Sequence, residues 1–183
     1  MYIGGKDYKF RFNSKKKSNI ENYLYLNGRI AFKRILEKIK KNKITTIYCP
    51  NYICDSILSV IDKKYFKIKF YNVHNDFSFK ITNIKNSIIL IINYFGKKNI
   101  INKKILNDNI IVEDKTLSFI NEKNIKIRNK KNYYFFASLR KLFSSYIFGV
   151  CNLKNKNNLK NSKEFENIFH KCVASSYLKE NYI

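Results

Sequence analysis

The chain has 183 residues and a mass of 21.9 kDa, with 37 Lys and Arg against 13 Asp and Glu, which gives a formal net charge of +24. Because 45% of the residues are hydrophobic and 16% are aromatic, the chain can bury enough apolar surface to offset its ordering entropy, which excludes disorder as its main state. The longest apolar run, residues 87–95 (SIILIINYF), is too short for the roughly 20 residues of a membrane span. The opening segment is charged where a signal peptide would be apolar, so we expect a cytoplasmic protein of one domain's size.

The positive charge is compatible with nucleic-acid binding, because lysine and arginine neutralise backbone phosphates. Composition offers a simpler cause, since 32 Lys, 26 Asn and 28 Ile make up 86 of the 183 residues, a bias typical of A/T-rich codons. Arginine, which proteins favour for gripping phosphate and stacking on bases, occurs only five times. The sequence therefore favours basicity without a nucleic-acid ligand, and a basic nucleic-acid-binding domain is the weaker alternative.

The four cysteines do not form a metal motif. Cys49 and Cys54 lie five positions apart, no C-x-x-C pair occurs, and neither histidine flanks a cysteine at zinc-finger spacing. We therefore predict free thiols and no metal site.

Hydrophobic periodicity divides the chain into an N-terminal arm (1–26), a domain (27–150), and a linker with a C-terminal helix (151–183). Within the domain, strands alternate with helical segments, which indicates βαβ units and a mostly parallel α/β sheet with flanking helices. The run IILII at 88–92 is continuous and β-branched, as in a central strand covered on both faces. In chain order the predicted elements are a helix at 27–41, a strand at 45–49, a helix at 52–61, strands at 67–71 and 88–92, a helix at 100–106, and strands at 109–112, 125–127 and 133–137.

Three groups of polar residues fall where ligands gather in such folds, beyond the carboxyl ends of the strands. Gly28 and Arg29 open the first helix, whose free N–H groups and dipole attract an anion. Asp114 closes one strand, and Ser138 and Lys141 follow another. An anion site, a carboxylate and a lysine at one edge are what pyridoxal phosphate requires. Taken singly, each residue is better explained as surface charge or loop chemistry.

Six segments in order strengthen this interpretation: NGRIAFKRIL, CPNYICDSILSVI, KIKFYNV, IILIINYFG, IIVEDKTLSF and YYFFASLRK. Together they resemble the DegT/DnrJ/EryC1/StrS sugar aminotransferases, which are pyridoxal-phosphate enzymes of the aspartate-aminotransferase (type I) fold. The strongest matches are Glu113-Asp114 and the segment 136–141, and the resemblance covers residues 3–148. The helix predicted at 165–182 is similar to the segment after the cofactor lysine in that family.

The resemblance implies a role for each candidate residue. Lys141 would form the imine with the cofactor and shuttle the proton, and Asp114 would pair with the pyridine nitrogen. Ser138 and the backbone of Gly28 and Arg29 would contact the phosphate. Members of the family transfer an amino group, usually from glutamate, onto a keto-sugar nucleotide for polysaccharide, lipopolysaccharide or antibiotic sugars, and they commonly work as dimers with shared sites.

The chain also departs from the family. Lys115 and Leu117 stand where an Ala and a His or Gln are usual, and Cys54 stands where many members have a ring-stacking aromatic residue. Family members are about twice as long, so we expect a truncated large domain with an unpaired sheet edge, completed by a second copy or a partner chain. A non-catalytic remnant or partner subunit is therefore the alternative to an active enzyme.

Overall fold

The computed structural model describes residues 23–97, 101–118, 132–141 and 148–154. These residues form one seven-stranded sheet. The strands are β1 (Leu24–Tyr25), β2 (Thr46–Pro50), β3 (Lys67–Tyr71), β4 (Ile88–Ile92), β5 (Ile110–Asp114), β6 (Tyr133–Ser138) and β7 (Gly149–Cys151). The α-helices are α1 (Gly28–Lys40), α2 (Asp55–Leu58) and α3 (Lys103–Asp108), and 3₁₀ turns span Tyr94–Gly96 and Leu139–Lys141.

The strand order is β1-β7-β6-β5-β4-β2-β3. Strands β2 to β6 pair in parallel, whereas β7 runs antiparallel to both β6 and β1. Asp114 lies opposite Ile92 of β4 on one side and Phe136 of β6 on the other. The mostly parallel α/β sheet predicted from the sequence is thus confirmed, and the carboxyl ends of β4, β5 and β6 meet at one edge.

Helix α1 covers one face of the sheet. Its N-cap Asn27 accepts a hydrogen bond from the Ile30 N–H at 2.9 Å, as its position predicts. The helix buries an apolar stripe on the strands, and the Phe32 ring stacks on Phe136 with centroids 4.8 Å apart. Burial of this stripe provides the hydrophobic stabilisation that holds the start of α1 against the end of β6.

The other face of the sheet carries two smaller apolar clusters. One is centred on Ile89, Ile91 and Ile111 with Ile105 of α3, and the other on Phe135 and Val150. Strand β4 therefore buries side chains on both faces, as the run IILII predicts.

Several boundaries differ from those predicted. Strand β5 runs on to Asp114 and β6 to Ser138. The helix predicted at 52–61 shortens to α2, because Cys54 adopts an extended backbone at φ −73°, ψ 133°. Strands β1 and β7 were not predicted, since two or three residues are too few to show a period, and β1 lies within the segment assigned to the arm. The strand at 125–127 and the C-terminal helix fall outside the described residues.

Among the described residues, no helix combines the length and apolar character that a membrane crossing requires.

Candidate cofactor site

The candidate residues come from the ends of neighbouring elements. Asp114 is the last residue of β5, Ser138 the last of β6, Lys141 ends the following 3₁₀ turn, and Gly28 begins α1. Since β5 and β6 are adjacent and parallel, Asp114 and the segment 138–141 share one edge of the sheet. The fold therefore places these residues where α/β proteins bind ligands.

Asp114 is a buried carboxylate, with 9% of its surface exposed. Its Oδ1 accepts a hydrogen bond from the Thr116 N–H at 2.9 Å. Burial raises the pKa of this carboxyl above its ordinary value, while the hydrogen bonds from Thr116 and the positive charge of Lys141 oppose the rise. The hydrogen bonds from Thr116 and the charge of Lys141 thus offset only part of the cost of burying the carboxyl group. A protonated ring nitrogen would supply a further positive partner.

Lys141 is exposed and forms no salt bridge with any described residue. Its charge nevertheless lowers the pKa of two other groups, the Asp114 carboxyl and the Cys54 thiol. The ammonium therefore lies within electrostatic reach of the end of β5 and of the residue that precedes α2. The turn that carries it is anchored by the Leu139 N–H, which donates to the Phe148 carbonyl at 2.7 Å.

The start of α1 lies against the end of β6 and the start of β7. A Cβ at Gly28 would come within 2.9 Å of the Ser138 Cβ, and one at Gly149 within 2.3 Å of the Asn27 carbonyl group. Only glycine allows either approach. The N–H groups of Gly28 and Arg29 donate to no other described residue, whereas those of Ile30 and Ala31 are bonded by Asn27. N–H groups at a helix start that have no acceptor among the described residues are of the kind that binds a phosphate.

The Arg29 side chain is exposed and lines a shallow cavity of about 370 Å³ together with Lys33 and Ser59. No described contact joins its guanidinium to Ser138 or Asp114. The role of the Arg29 backbone N–H at the phosphate stays a prediction.

Glu113 and Lys115 lie on the opposite side of β5 from Asp114, because successive strand residues alternate between faces. The Glu113 carboxylate accepts hydrogen bonds from Asn93 Nδ2, at 2.7 Å, and from the Tyr133 hydroxyl. Lys115 Nζ is 3.8 Å from Glu113 Oε2 and 5.0 Å from the centre of the Phe135 ring. The cation that replaces the usual Ala is thus held by Glu113 on the far face.

Cys54 is exposed, and its Sγ lies 3.1 Å from Ser56 Oγ. Hydrogen bonding with Ser56 lowers the pKa of the thiol, and the charge of Lys141 adds to that effect. The thiol stands at the position of the expected stacking aromatic and provides no π-face of its own.

Aromatic rings nevertheless surround this edge. The Tyr52 ring, on a side chain 62% exposed, lies 5.7 Å from that of Tyr94, whose hydroxyl donates to the Tyr52 carbonyl. Burial raises the pKa of Tyr94 to about 12, and the charges of Tyr52 and Asp114 contribute. Sequence reasoning did not single out Tyr52 or Thr116 as site residues. The one signal for Tyr52 was its position two residues before Cys54, where the resemblance leads us to expect an aromatic ring that stacks on the cofactor.

No protein-family model matches the sequence, and comparison with curated proteins gives no match. Comparison with solved structures gives clear fold matches. The L-threonine-O-3-phosphate decarboxylase of Porphyromonas gingivalis matches with a TM-score of 0.52 and 14% identity, over 82% of this chain and 55% of that one. A protein described as a histidinol-phosphate aminotransferase, from Erwinia carotovora atroseptica, matches with a TM-score of 0.52 and 10% identity, over 82% and 49%.

The aminotransferase AspB of Helicobacter pylori matches with a TM-score of 0.49 and 13% identity, over 86% of this chain and 48% of that one. At these identities the first two matches establish the fold, which is that of the type I pyridoxal-phosphate transferases. The chain spans about half the length of the solved structures it matches.

Proposed function

We propose that the chain binds pyridoxal 5′-phosphate and provides the cofactor site of an aminotransferase-like protein. The observation that supports this proposal is a buried carboxyl, Asp114, at the end of β5, with Lys141 following the adjacent parallel strand β6 at the same edge of the sheet and within electrostatic reach of it. The N–H groups of Gly28 and Arg29, which have no acceptor among the described residues, would contribute the phosphate site with the neighbouring Ser138.

Each residue has a distinct task in this proposal. When bound, pyridoxal phosphate supplies an electron-accepting ring that stabilises negative charge on the substrate carbon. Asp114 accepts a hydrogen bond from the ring nitrogen and keeps that nitrogen protonated. The Lys141 amine holds the cofactor covalently and moves the substrate proton. The backbone at Gly28 and Arg29, with the Ser138 hydroxyl, binds the phosphate.

The resemblance to sugar aminotransferases supplies the finer part of the proposal. The acceptor would be a keto-sugar nucleotide, the donor an amino acid such as glutamate, and the product an amino sugar for polysaccharide or lipopolysaccharide in the cytoplasm. Because the chain spans about half the length of its structural matches, we propose that a second copy or a partner chain completes the active site.

The test is the absorbance spectrum of the purified chain with added pyridoxal phosphate, followed by borohydride reduction and peptide mapping. The chain has 32 lysines, any of which can react with an aldehyde, so selective labelling of Lys141 at equimolar cofactor is the informative result. We expect Lys141→Ala to abolish the visible band and Lys63→Ala, at an exposed lysine, to leave it unchanged. Labelling spread over surface lysines and unaffected by Lys141→Ala would contradict the proposal.

A non-catalytic remnant or partner subunit is the second candidate. It is favoured by the length covered in the structural matches and by Cys54, which provides no ring to stack on the cofactor. A single half-reaction distinguishes the two: glutamate yields one equivalent of 2-oxoglutarate per loaded chain as its amino group passes to the cofactor. Formation of that equivalent supports an enzyme, whereas a specific Lys141 adduct that releases no 2-oxoglutarate supports the partner subunit.

A further inference from the structure

Thr116 is a buried residue, 6% exposed, that lies two positions beyond Asp114. Its backbone N–H donates to Asp114 Oδ1 at 2.9 Å, and its side-chain Oγ1 accepts a hydrogen bond from the Ser138 N–H at 3.0 Å. One residue thus joins the carboxylate at the end of β5 to the backbone at the end of β6. None of the sequence motifs assigns it a role.

The hydrogen bond from the Ser138 N–H to Thr116 Oγ1 is important because of its position in the sheet. Backbone pairing between β5 and β6 reaches Asp114 and Phe136, and the Lys115 N–H donates to the Phe136 carbonyl at 2.8 Å. Beyond that point β5 has ended, and the Thr116 hydroxyl takes the place of a strand carbonyl as the acceptor for Ser138. The side chain therefore extends the β5–β6 pairing by one step.

Ser138 is in turn the residue against which Gly28 is packed, since a Cβ at Gly28 would come within 2.9 Å of the Ser138 Cβ. On its other side Ser138 pairs with Gly149 of β7. A shift of Ser138 would therefore move the phosphate end of the site relative to Asp114, and binding sites lose affinity when such spacings relax.

We propose that Thr116 is a positioning residue, which sets the distance between the ring-binding carboxylate of Asp114 and the phosphate-binding groups, the Ser138 hydroxyl and the Gly28 backbone. This inference rests on the proposed function, because the spacing matters only if one ligand engages both ends. Thr116 itself does not contact the cofactor; its hydroxyl acts through the Ser138 backbone, and the same side chain also opposes the rise in the pKa of the Asp114 carboxyl.

The experiment compares Thr116→Val, which keeps the shape and removes the acceptor, with Thr116→Ser, which keeps the acceptor. Thr45→Val, at an exposed threonine near the amino end of β2, is the matched control. For each full-length variant we would measure the affinity for pyridoxal phosphate and for pyridoxal, which lacks the phosphate. Hydrogen exchange of the Ser138 N–H without cofactor provides a second measurement.

We expect Thr116→Val to weaken pyridoxal-phosphate binding about tenfold, the effect of losing one buried hydrogen bond, with a much smaller change for pyridoxal. Exchange of the Ser138 N–H should accelerate in this variant. Thr116→Ser and Thr45→Val should match the wild type in all three measurements. A general loss of structure would instead weaken both ligands equally, which would overturn the positioning role.

Other outcomes separate this inference from the proposed function. If the wild type binds pyridoxal phosphate at Lys141 and Thr116→Val binds it equally well, the role of Thr116 is wrong and the proposed function stands. If the wild type binds no pyridoxal phosphate, both are wrong. Should Thr116→Val fail to fold by circular dichroism, Thr116→Ala replaces it, with the same expected contrast to Thr116→Ser.

Discussion

Asp114 is a single residue that the proposed site needs but that lowers the free energy of unfolding. Its carboxyl is buried, and burial raises its pKa although Thr116 and Lys141 act in the opposite direction. A group whose pKa is higher in the folded than in the unfolded chain favours folding below its unfolded pKa, and that contribution is lost as the pH rises through the folded pKa. At neutral pH, which is above the unfolded pKa, the raised pKa of Asp114 therefore opposes folding of the cofactor-free chain.

Replacement of Asp114 tests whether its buried carboxyl opposes folding. We expect Asp114→Asn, whose side-chain oxygen can still accept the bond from Thr116, to be more stable than the wild type without cofactor. The difference in the free energy of unfolding between Asp114→Asn and the wild type should grow as the pH rises. The growth begins at about pH 4, the ordinary pKa of an aspartate, and continues through the raised pKa of the folded Asp114. The same variant should bind pyridoxal phosphate at least tenfold more weakly, because an amide does not keep the ring nitrogen protonated. Urea denaturation across pH, with a cofactor titration, measures both effects.

Asp76 provides the matched control for the pH dependence. It is exposed, and hydrogen bonds from Ser78 lower its pKa. Its contribution to stability is therefore present above the unfolded pKa and is lost as the pH falls, which is the opposite sign. Asp76→Asn should lower stability at neutral pH and leave cofactor affinity unchanged. A common pH trend in the two variants would contradict the assignment for Asp114.

At the scale of elements, the site depends on how closely α1 approaches β6 and β7. Asn27 caps the helix, Gly28 packs on Ser138, and Gly149 packs on the Asn27 carbonyl. The helix start is thereby held at the sheet edge. The two glycines are required by contact with neighbours, since neither has a positive φ among the backbone torsions described.

Alanine at these two glycines should destabilise the chain to different extents. The Gly28 clash at 2.9 Å is with the side chain of Ser138, whereas the Gly149 clash at 2.3 Å is with the backbone of Asn27. Overpacking of a close contact costs about 1–3 kcal/mol, and a backbone neighbour cannot rotate away. We expect Gly149→Ala to lose more stability than Gly28→Ala in denaturant titrations.

Asn27→Ala is the control for these substitutions, because it removes the cap, at a cost of about 1 kcal/mol, without adding a clash. If close packing of α1 forms the phosphate end, Gly28→Ala should weaken pyridoxal phosphate more than pyridoxal. Equal stability of the two glycine variants would show that the helix start can move away from the sheet.

At the scale of the whole molecule, charge is the dominant feature. A net charge of +24 on 183 residues causes self-repulsion in the compact state, which dissolved salt screens. The described part of the chain offers three ion pairs, of which only Lys115–Glu113 is buried. Local pairing therefore does little to offset the excess of cations.

We accordingly expect the thermal midpoint to rise with NaCl. Scanning calorimetry at low and moderate salt measures the slope, and the double variant Lys63→Glu and Lys80→Glu, at two exposed lysines, serves as the control. It lowers the net charge by four and should show a smaller slope and a higher midpoint at low salt. An unchanged midpoint across salt concentrations would mean that repulsion is not a significant term in the stability.

Lysines also lie on β3, the strand at one edge of the described sheet. Among the described strands β3 pairs only with β2, and it carries Lys67, Lys69 and the half-exposed Phe70. Lys69 Nζ lies 5.6 Å from the centre of the Tyr48 ring on β2. Charged side chains on an edge strand disfavour pairing with another chain, so these lysines disfavour association through β3.

The sequence by itself determined the elements whose signals are local. The period of α1, the β-branched run of β4 and the alternation of β3 specify a helix and two strands regardless of their partners, and the order of strands and helices specifies a parallel sheet. The positions of Asp114 and Lys141 at strand ends followed from the same signals, because parallel strands end at one edge.

Only the tertiary structure decided the contacts made by partners distant in sequence. Strands β1 and β7 form because β7 pairs with β6 and β1 pairs with β7, which no local period reveals. Thr116 joins Asp114 to Ser138 through a hydrogen bond across 22 residues, and Lys115 pairs with Glu113 on the face away from Asp114. The close approach at Gly28 and Gly149 is likewise set by packing. Composition and hydrophobic periodicity carry information about the segment that contains a residue. These contacts depend instead on residues distant in sequence that the fold brings next to it.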